Sequence, residues 1–191
     1  LYQRLKARGR ILRIGTPTVW EATATAVIRQ VVHRDQARAA FDRLCSRFGV
    51  PFMVGGRVHH SIPSPEMVLA TTEADLGTLR IGFKARTLRT LAEWCLDAKE
   101  HLTADELHDA LLGVRGIGPW TAAVAVCDRF SDFSFYPVDD LAVRAHARAS
   151  WASHPWPTAA KAFAREWRAL TAPHTAAITA HVMAEAILSG G

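Results

Sequence analysis

The run Val-Arg-Gly-Ile-Gly-Pro-Trp-Thr-Ala (114–122) places two glycines one residue apart, directly before a proline. Gly116 and Gly118 permit a tight turn with positive φ. They also leave no side chain between main-chain N–H groups and an approaching anion. Pro119 suits the first turn of a helix, where its missing N–H costs nothing. The amides of Trp120 and Thr121 then stand at the positive end of that helix, and a helix N-terminus with glycine in front of it binds phosphate. A plain connection between two helices is the alternative reading. Downstream, Asp139 and Asp140 lead the run Asp-Asp-Leu-Ala-Val-Arg (139–144). Acid at a helix start caps unpaired amides. A fixed carboxylate can also stabilise a developing positive charge or orient a water.

The elements that must position these residues are helical. Alanine-rich segments with apolar residues three and four apart recur at 18–33, 35–48, 84–99, 104–112, 119–130, 138–152, 157–170 and 173–188. Thr18, with Glu21 three residues on, reads as a capping box, and Ser64-Pro65-Glu66 places proline in a first helical turn. One stretch departs from this pattern. In 50–63 two short apolar runs flank Gly55-Gly56, which predicts a small hairpin or an extended loop. The fold class is therefore all-α, with about ten helices.

Composition bounds the function. The 191 residues suffice for one domain or two small lobes, and the apolar content is that of an ordinary globular chain. No apolar run approaches the length of a membrane span, and no secretory pattern is present, so a cytoplasmic, nucleoid-associated protein is expected. The net charge is +5, and Arg4, Lys6, Arg8, Arg10 and Arg13 crowd the first thirteen positions. That balance fits a polyanionic partner such as double-stranded DNA, or else a solvated basic face. Cys45, Cys95 and Cys127 are widely spaced and odd in number, which fits reduced thiols and excludes a four-cysteine iron–sulfur cluster within this chain.

The blocks Leu-Leu-Gly-Val-Arg-Gly-Ile-Gly-Pro-Trp-Thr-Ala (111–122) and Phe-Tyr-Pro-Val-Asp-Asp-Leu-Ala-Val-Arg (135–144) together resemble the helix–hairpin–helix (HhH-GPD) DNA glycosylase superfamily, most closely its 3-methyladenine DNA glycosylase II type. Segments 26–49 and 79–94 resemble the family's early helix pair and the approach to its hairpin. The likeness implies two helical lobes with a cleft between them. One would be a central domain over 18–137 that ends in the helix–hairpin–helix at about 104–130. The other would be 1–17 plus 138–191, carrying the catalytic aspartate. It implies a monomeric enzyme that flips a damaged base out of duplex DNA and hydrolyses its N-glycosidic bond.

Site residues follow position by position from the resemblance. Asp140 matches the family aspartate, with Asp139 as runner-up and expected to serve the helix start. Trp120 stands where bifunctional relatives carry a lysine, which implies a monofunctional enzyme without Schiff-base chemistry. Trp120 also matches an aromatic that faces the extruded base, with Tyr136, Val124 and His181 as further pocket candidates. Gly116, Gly118, Thr121, Arg115, Gln30, Val31 and His33 are expected at DNA, Val31 as the wedge. Gln30 either bonds the orphaned partner base or caps a local turn, and His33 either touches DNA or ends a helix. No cofactor is required. A sodium or potassium ion on the carbonyls of Leu112, Val114 and Ile117 is implied. Val124 and the last helix, 173–188, lack aromatics that the alkylpurine type carries, so an alkylated purine leads only slightly over a bulky or hypermodified base of foreign DNA. A non-catalytic DNA-binding module is the remaining alternative.

Overall fold

The computed structural model describes residue 7 and residues 9–30, 32–97 and 99–189, with the side chains at 80, 81, 83 and 186–189 left aside. Two compact units divide the chain: Gly15–Phe130, and Leu1–Ile14 together with Ser131–Gly191.

The Gly15–Phe130 unit is built on α1 (Val19–Ile28) and α7 (Pro119–Phe130), which pack against each other. Ala22, Ala24 and Ala26 on α1 and Ala122, Ala123 and Ala125 on α7 are all buried. Such small side chains let two backbones approach closely, so these helices bury nearly every face rather than one stripe. Thr18 caps α1, its Oγ1 accepting from the Glu21 amide at 3.1 Å, and the Val19 amide donates to Glu100 Oε1 at 2.8 Å. Around this pair lie α2 (Arg34–Phe48), α3 (Pro65–Ala70), α4 (Glu73–Leu76), α5 (Gly82–Cys95) and α6 (Ala104–Leu112). Leu88 and Leu91 of α5 and Leu107 and Leu111 of α6 are fully buried, each stabilising by about 1.5–3 kcal/mol relative to exposure. A π-helical turn, Gly77–Ile81, runs straight into α5, so that helix starts and ends earlier than its periodicity predicts.

The expected hairpin is present. Strands β1 (Pro51–Val54) and β2 (Arg57–His60) pair antiparallel in the register Pro51↔His60 and Val54↔Arg57. Gly55 and Gly56 both have positive φ, +56° and +76°, as a two-residue primed turn requires.

The second unit carries α8 (Leu141–Ser150), α9 (Ala160–Thr171) and α10 (Thr175–Ser189), with α10 packed on both others. Its core is aromatic. Phe163 and Trp167 stack at 5.9 Å, and Trp156 leans on both. Trp167 Nε1 donates to Thr179 Oγ1 at 3.0 Å, which locks α9 to α10.

The units part at Phe130/Ser131, not at the boundary of 137/138 expected from the sequence. Local contacts explain the shift. Phe133 stacks on Tyr136 at 5.3 Å and lies under the Arg13 guanidinium at 5.0 Å, so 131–137 joins the unit of the N-terminal segment. At the other end the Thr16 amide donates to Asp128 O at 2.8 Å, which holds that residue in the α1–α7 unit.

Candidate nucleic-acid interface and acid site

At the hairpin, α6 closes with the Gly113 and Val114 amides donating to Ala110 O and Leu111 O, and the Ile117 amide donates to Val114 O at 3.0 Å. Gly116 lies at φ +92°, and a Cβ there would fall 2.4 Å from Thr87 Oγ1 on α5. Only this glycine has the left-handed conformation; Gly118 does not, contrary to the expectation for both. A Cβ on Gly118 would meet nothing within 4 Å, so its smallness leaves open space before the first turn of α7. The leading amides of an α-helix have no carbonyl ahead of them within the helix. Arg115 is exposed and Trp120 is half-buried beside that opening.

The turn after α1 is laced to this hairpin. Gln30 Nε2 donates to Gly116 O at 3.1 Å and to Thr121 Oγ1 at 2.8 Å. Its amide nitrogen is thus committed to the protein, which ties the turn after α1 to the hairpin. Thr121 is buried, so its hydroxyl is structural and only its amide stays a candidate for phosphate. Arg29 Nη1 pairs with Asp128 Oδ2 at 2.9 Å. His33 begins α2 as its N-cap, with its amide donating to Gln36 Oε1 at 3.2 Å; it does not end a helix. Val31 lies outside the described residues.

Lys84 supports the same turn from beneath. It is 2% exposed, and Nζ donates to Ile28 O at the C-terminal end of α1, where positive charge is favourable. Burial lowers its pKa from 10.5 to about 8. Between those two values the unfolded chain holds the proton that the folded protein has released. Folding stability from this group therefore rises with pH across that window, by about 1 kcal/mol per pH unit at most. Thermal unfolding of wild type and Lys84→Met from pH 7.5 to 9.5 should show the balance moving toward wild type as pH rises.

In the other unit, Asp140 is the N-cap of α8. Its Oδ1 accepts from the Ala142 amide at 2.8 Å, and its own amide donates to Pro137 O at 2.9 Å. The capping role expected for Asp139 therefore belongs to Asp140, while Asp139 is exposed. The cap fixes the orientation of the carboxyl group at the start of α8. Arg144 and Arg148 on the same helix hold the following loop by donating to Thr158 O at 2.6 Å and Pro157 O at 2.7 Å.

Among the pocket candidates, Val124 is completely buried and presents nothing to a base, which corrects its assignment. Tyr136 is buried and stacks on Phe133. His181 lines a cavity of about 850 Å³ within the Ser131–Gly191 unit, together with Phe133, Met183, Ser131 and Glu185. Neither Ser131 nor Glu185 belongs to a motif, and no spacing in the sequence marks them. Among the described residues no cluster of His, Cys, Asp or Glu could hold a metal ion, and no helix is long and apolar enough to cross a membrane.

No family model matches the chain. A DNA-3-methyladenine glycosylase of Bacillus subtilis is 28% identical over 138 residues, covering 67% of this chain and 45% of the relative. The chain therefore spans less than half the length of that curated relative. The structure of a 3-methyladenine DNA glycosylase from Archaeoglobus fulgidus matches with a TM-score of 0.77 at 22% identity, over 94% of this chain and 63% of that one. An 8-oxoguanine glycosylase/lyase of Clostridium acetobutylicum, in complex with double-stranded DNA, matches with a TM-score of 0.73 at 17% identity, over 99% and 66%.

Proposed function

We propose that this chain, which has the fold of the helix–hairpin–helix DNA glycosylase superfamily and is similar in sequence to its 3-methyladenine type, excises damaged bases from duplex DNA. The observation that carries this reading is the orientation of Asp140 by the start of α8, in a chain whose α6–α7 connection opens glycine backbone toward a helix N-terminus.

The target base must leave the stack before its glycosidic bond can be reached. The amides behind Gly118 take a backbone phosphate, and Arg115 adds charge toward it. Trp120 stacks on the extruded base, an interaction of roughly 1–3 kcal/mol that tolerates many bases. As the N-glycosidic bond breaks, its electron pair leaves with the base and positive charge builds on the sugar. The Asp140 carboxylate opposes that charge and orients the water whose oxygen bonds to the anomeric carbon. The water's proton is released and an abasic site remains. With Trp120 where bifunctional relatives have lysine, hydrolysis completes the reaction without a Schiff base. A sodium or potassium ion on the Leu112, Val114 and Ile117 carbonyls belongs to this reading. These carbonyls would hold such an ion, which would supply positive charge toward a phosphate; the Val114 carbonyl, which accepts from Ile117, has a second lone pair.

Methylated, deaminated and hypermodified duplex DNAs incubated with the protein, with released bases identified by mass spectrometry, test the proposal. Alkylated purines are the expected products. Release of hypermodified bases alone would move the substrate to foreign DNA. DNA binding with no base released from any substrate would leave a non-catalytic module. Borohydride should trap no covalent complex on abasic DNA, and a trapped complex would restore lyase chemistry.

A further inference from the structure

Three consecutive residues at the end of α1 are held by three different partners. Lys84 of α5 donates to Ile28 O. Arg29 Nη1 pairs with Asp128 Oδ2 on α7 at 2.9 Å. Gln30 Nε2 donates to Gly116 O at 3.1 Å and to Thr121 Oγ1 at 2.8 Å. The Gly116 carbonyl can only accept, so the atom of Gln30 that faces it is the amide nitrogen, and the two hydrogens of that nitrogen meet two acceptors. A turn fixed at three residues in a row is a firm support for what it touches.

The two groups that Gln30 grips flank the opening before α7. Gly116 stands two residues before Gly118. A Cβ on Gly116 would fall 2.4 Å from Thr87 Oγ1, so α5 backs its peptide while Gln30 holds its carbonyl. Thr121 stands three residues after Gly118, on the first turn of α7. Its buried hydroxyl accepts from Gln30, while its amide, like that of Gly118, donates to no described residue. One side chain thus fixes both flanks of a short stretch of open amides. Donors held in place beforehand bind an anion with less entropy lost on ordering them.

Resting on the glycosylase reading above, we infer that Gln30 is a positioning residue of the phosphate site. It holds the hairpin carbonyl and the first turn of α7 so that the amides behind Gly118 meet a backbone phosphate of DNA, and it acts on DNA affinity through that site. Gln30 is uncharged, so removing its bonds alters the geometry of the site and leaves the charge of the protein unchanged.

The full chain and its variants are titrated with undamaged and with abasic-analogue duplex DNA at one salt concentration. Gln30→Leu should weaken binding to both duplexes about 5- to 10-fold, as expected for two lost hydrogen bonds. Gln30→Met, closer in length, repeats the comparison, and melting temperatures check that each variant is folded. Thr121→Val removes one of the two acceptors at nearly constant volume and should weaken binding about 2- to 5-fold. The deciding comparison is made in Gly118→Ala, whose added methyl group closes the approach to the amides. There Gln30→Leu should change affinity by less than about 2-fold, because the site it positions is already blocked. Effects that multiply in full would show that Gln30 touches DNA itself and overturn the inference. Unchanged affinity in Gln30→Leu, where Gly118→Ala weakens binding, also overturns it. Base release from methylated duplex by wild type is measured in parallel. A protein that follows this affinity pattern but releases no base keeps the inference and overturns the glycosylase reading.

Discussion

Asp140→Asn should remove base release, on the order of 100-fold or more, while the protein stays folded and bound to DNA. The separation of effects comes from the two roles of this carboxylate. As a cap it accepts from the Ala142 amide, and asparagine caps a helix about as well as aspartate. Thus α8 keeps its start. What is lost is negative charge set against a developing cation, where preorganised groups contribute most. Asp140→Ala should show the same loss of activity plus about 1 kcal/mol of instability from the missing cap. Asp139 is exposed and should tolerate asparagine with near wild-type rates. Single-turnover excision of alkylated duplex DNA, with melting temperature and abasic-DNA affinity measured in parallel, checks all three. Loss of activity in Asp139→Asn with retention in Asp140→Asn would show that the assignment is displaced by one residue.

The largest stability effect is expected at the hairpin. Gly116→Ala meets two penalties at once: a backbone at φ +92° and a methyl group 2.4 Å from Thr87 Oγ1. Together they should cost about 2–4 kcal/mol and lower the Tm by roughly 5–10 °C. Thr87→Ala in the same chain should recover the steric part and leave the backbone part. Gly118→Ala separates structure from function. Its φ is ordinary and its Cβ would stand in open space, so Tm should change little. DNA affinity should fall, since that methyl group stands where a phosphate must approach the amides of α7. A Gly118→Ala protein with unaltered affinity would remove the hairpin from the phosphate contact.

Much of this protein could be read from its residue order, because the signals involved are local. The three- and four-residue spacing of apolar side chains located the long helices, Thr18 marked the start of α1, and Gly55-Gly56 marked the hairpin turn. The glycine–proline run placed a helix start at Pro119, and the helix expected over 138–152 begins at Leu141, behind the Asp-Asp pair. Each of these is decided by atoms within a turn or two of chain. The short helices α3 and α4 and the π-helical turn carry too few residues for a period to emerge.

What only the tertiary structure decided lies in contacts between distant positions. Gln30 is bound to Gly116 and Thr121 because α1 lies against α7, a tie that no spacing in the sequence marks. Thr87 on α5 imposes a second demand on Gly116 beyond its turn. Val124 is sealed in the core, and Asp140 rather than Asp139 takes the cap, because burial and helix phase are set by packing. Ser131 and Glu185 meet on one cavity wall across more than fifty residues of chain, joined by no motif. Sequence alone determined where the long helices lie and which residue types could serve the proposed chemistry on DNA. Packing determined which of those side chains remain available for it, since a side chain's free atoms are those that no distant neighbour has already engaged.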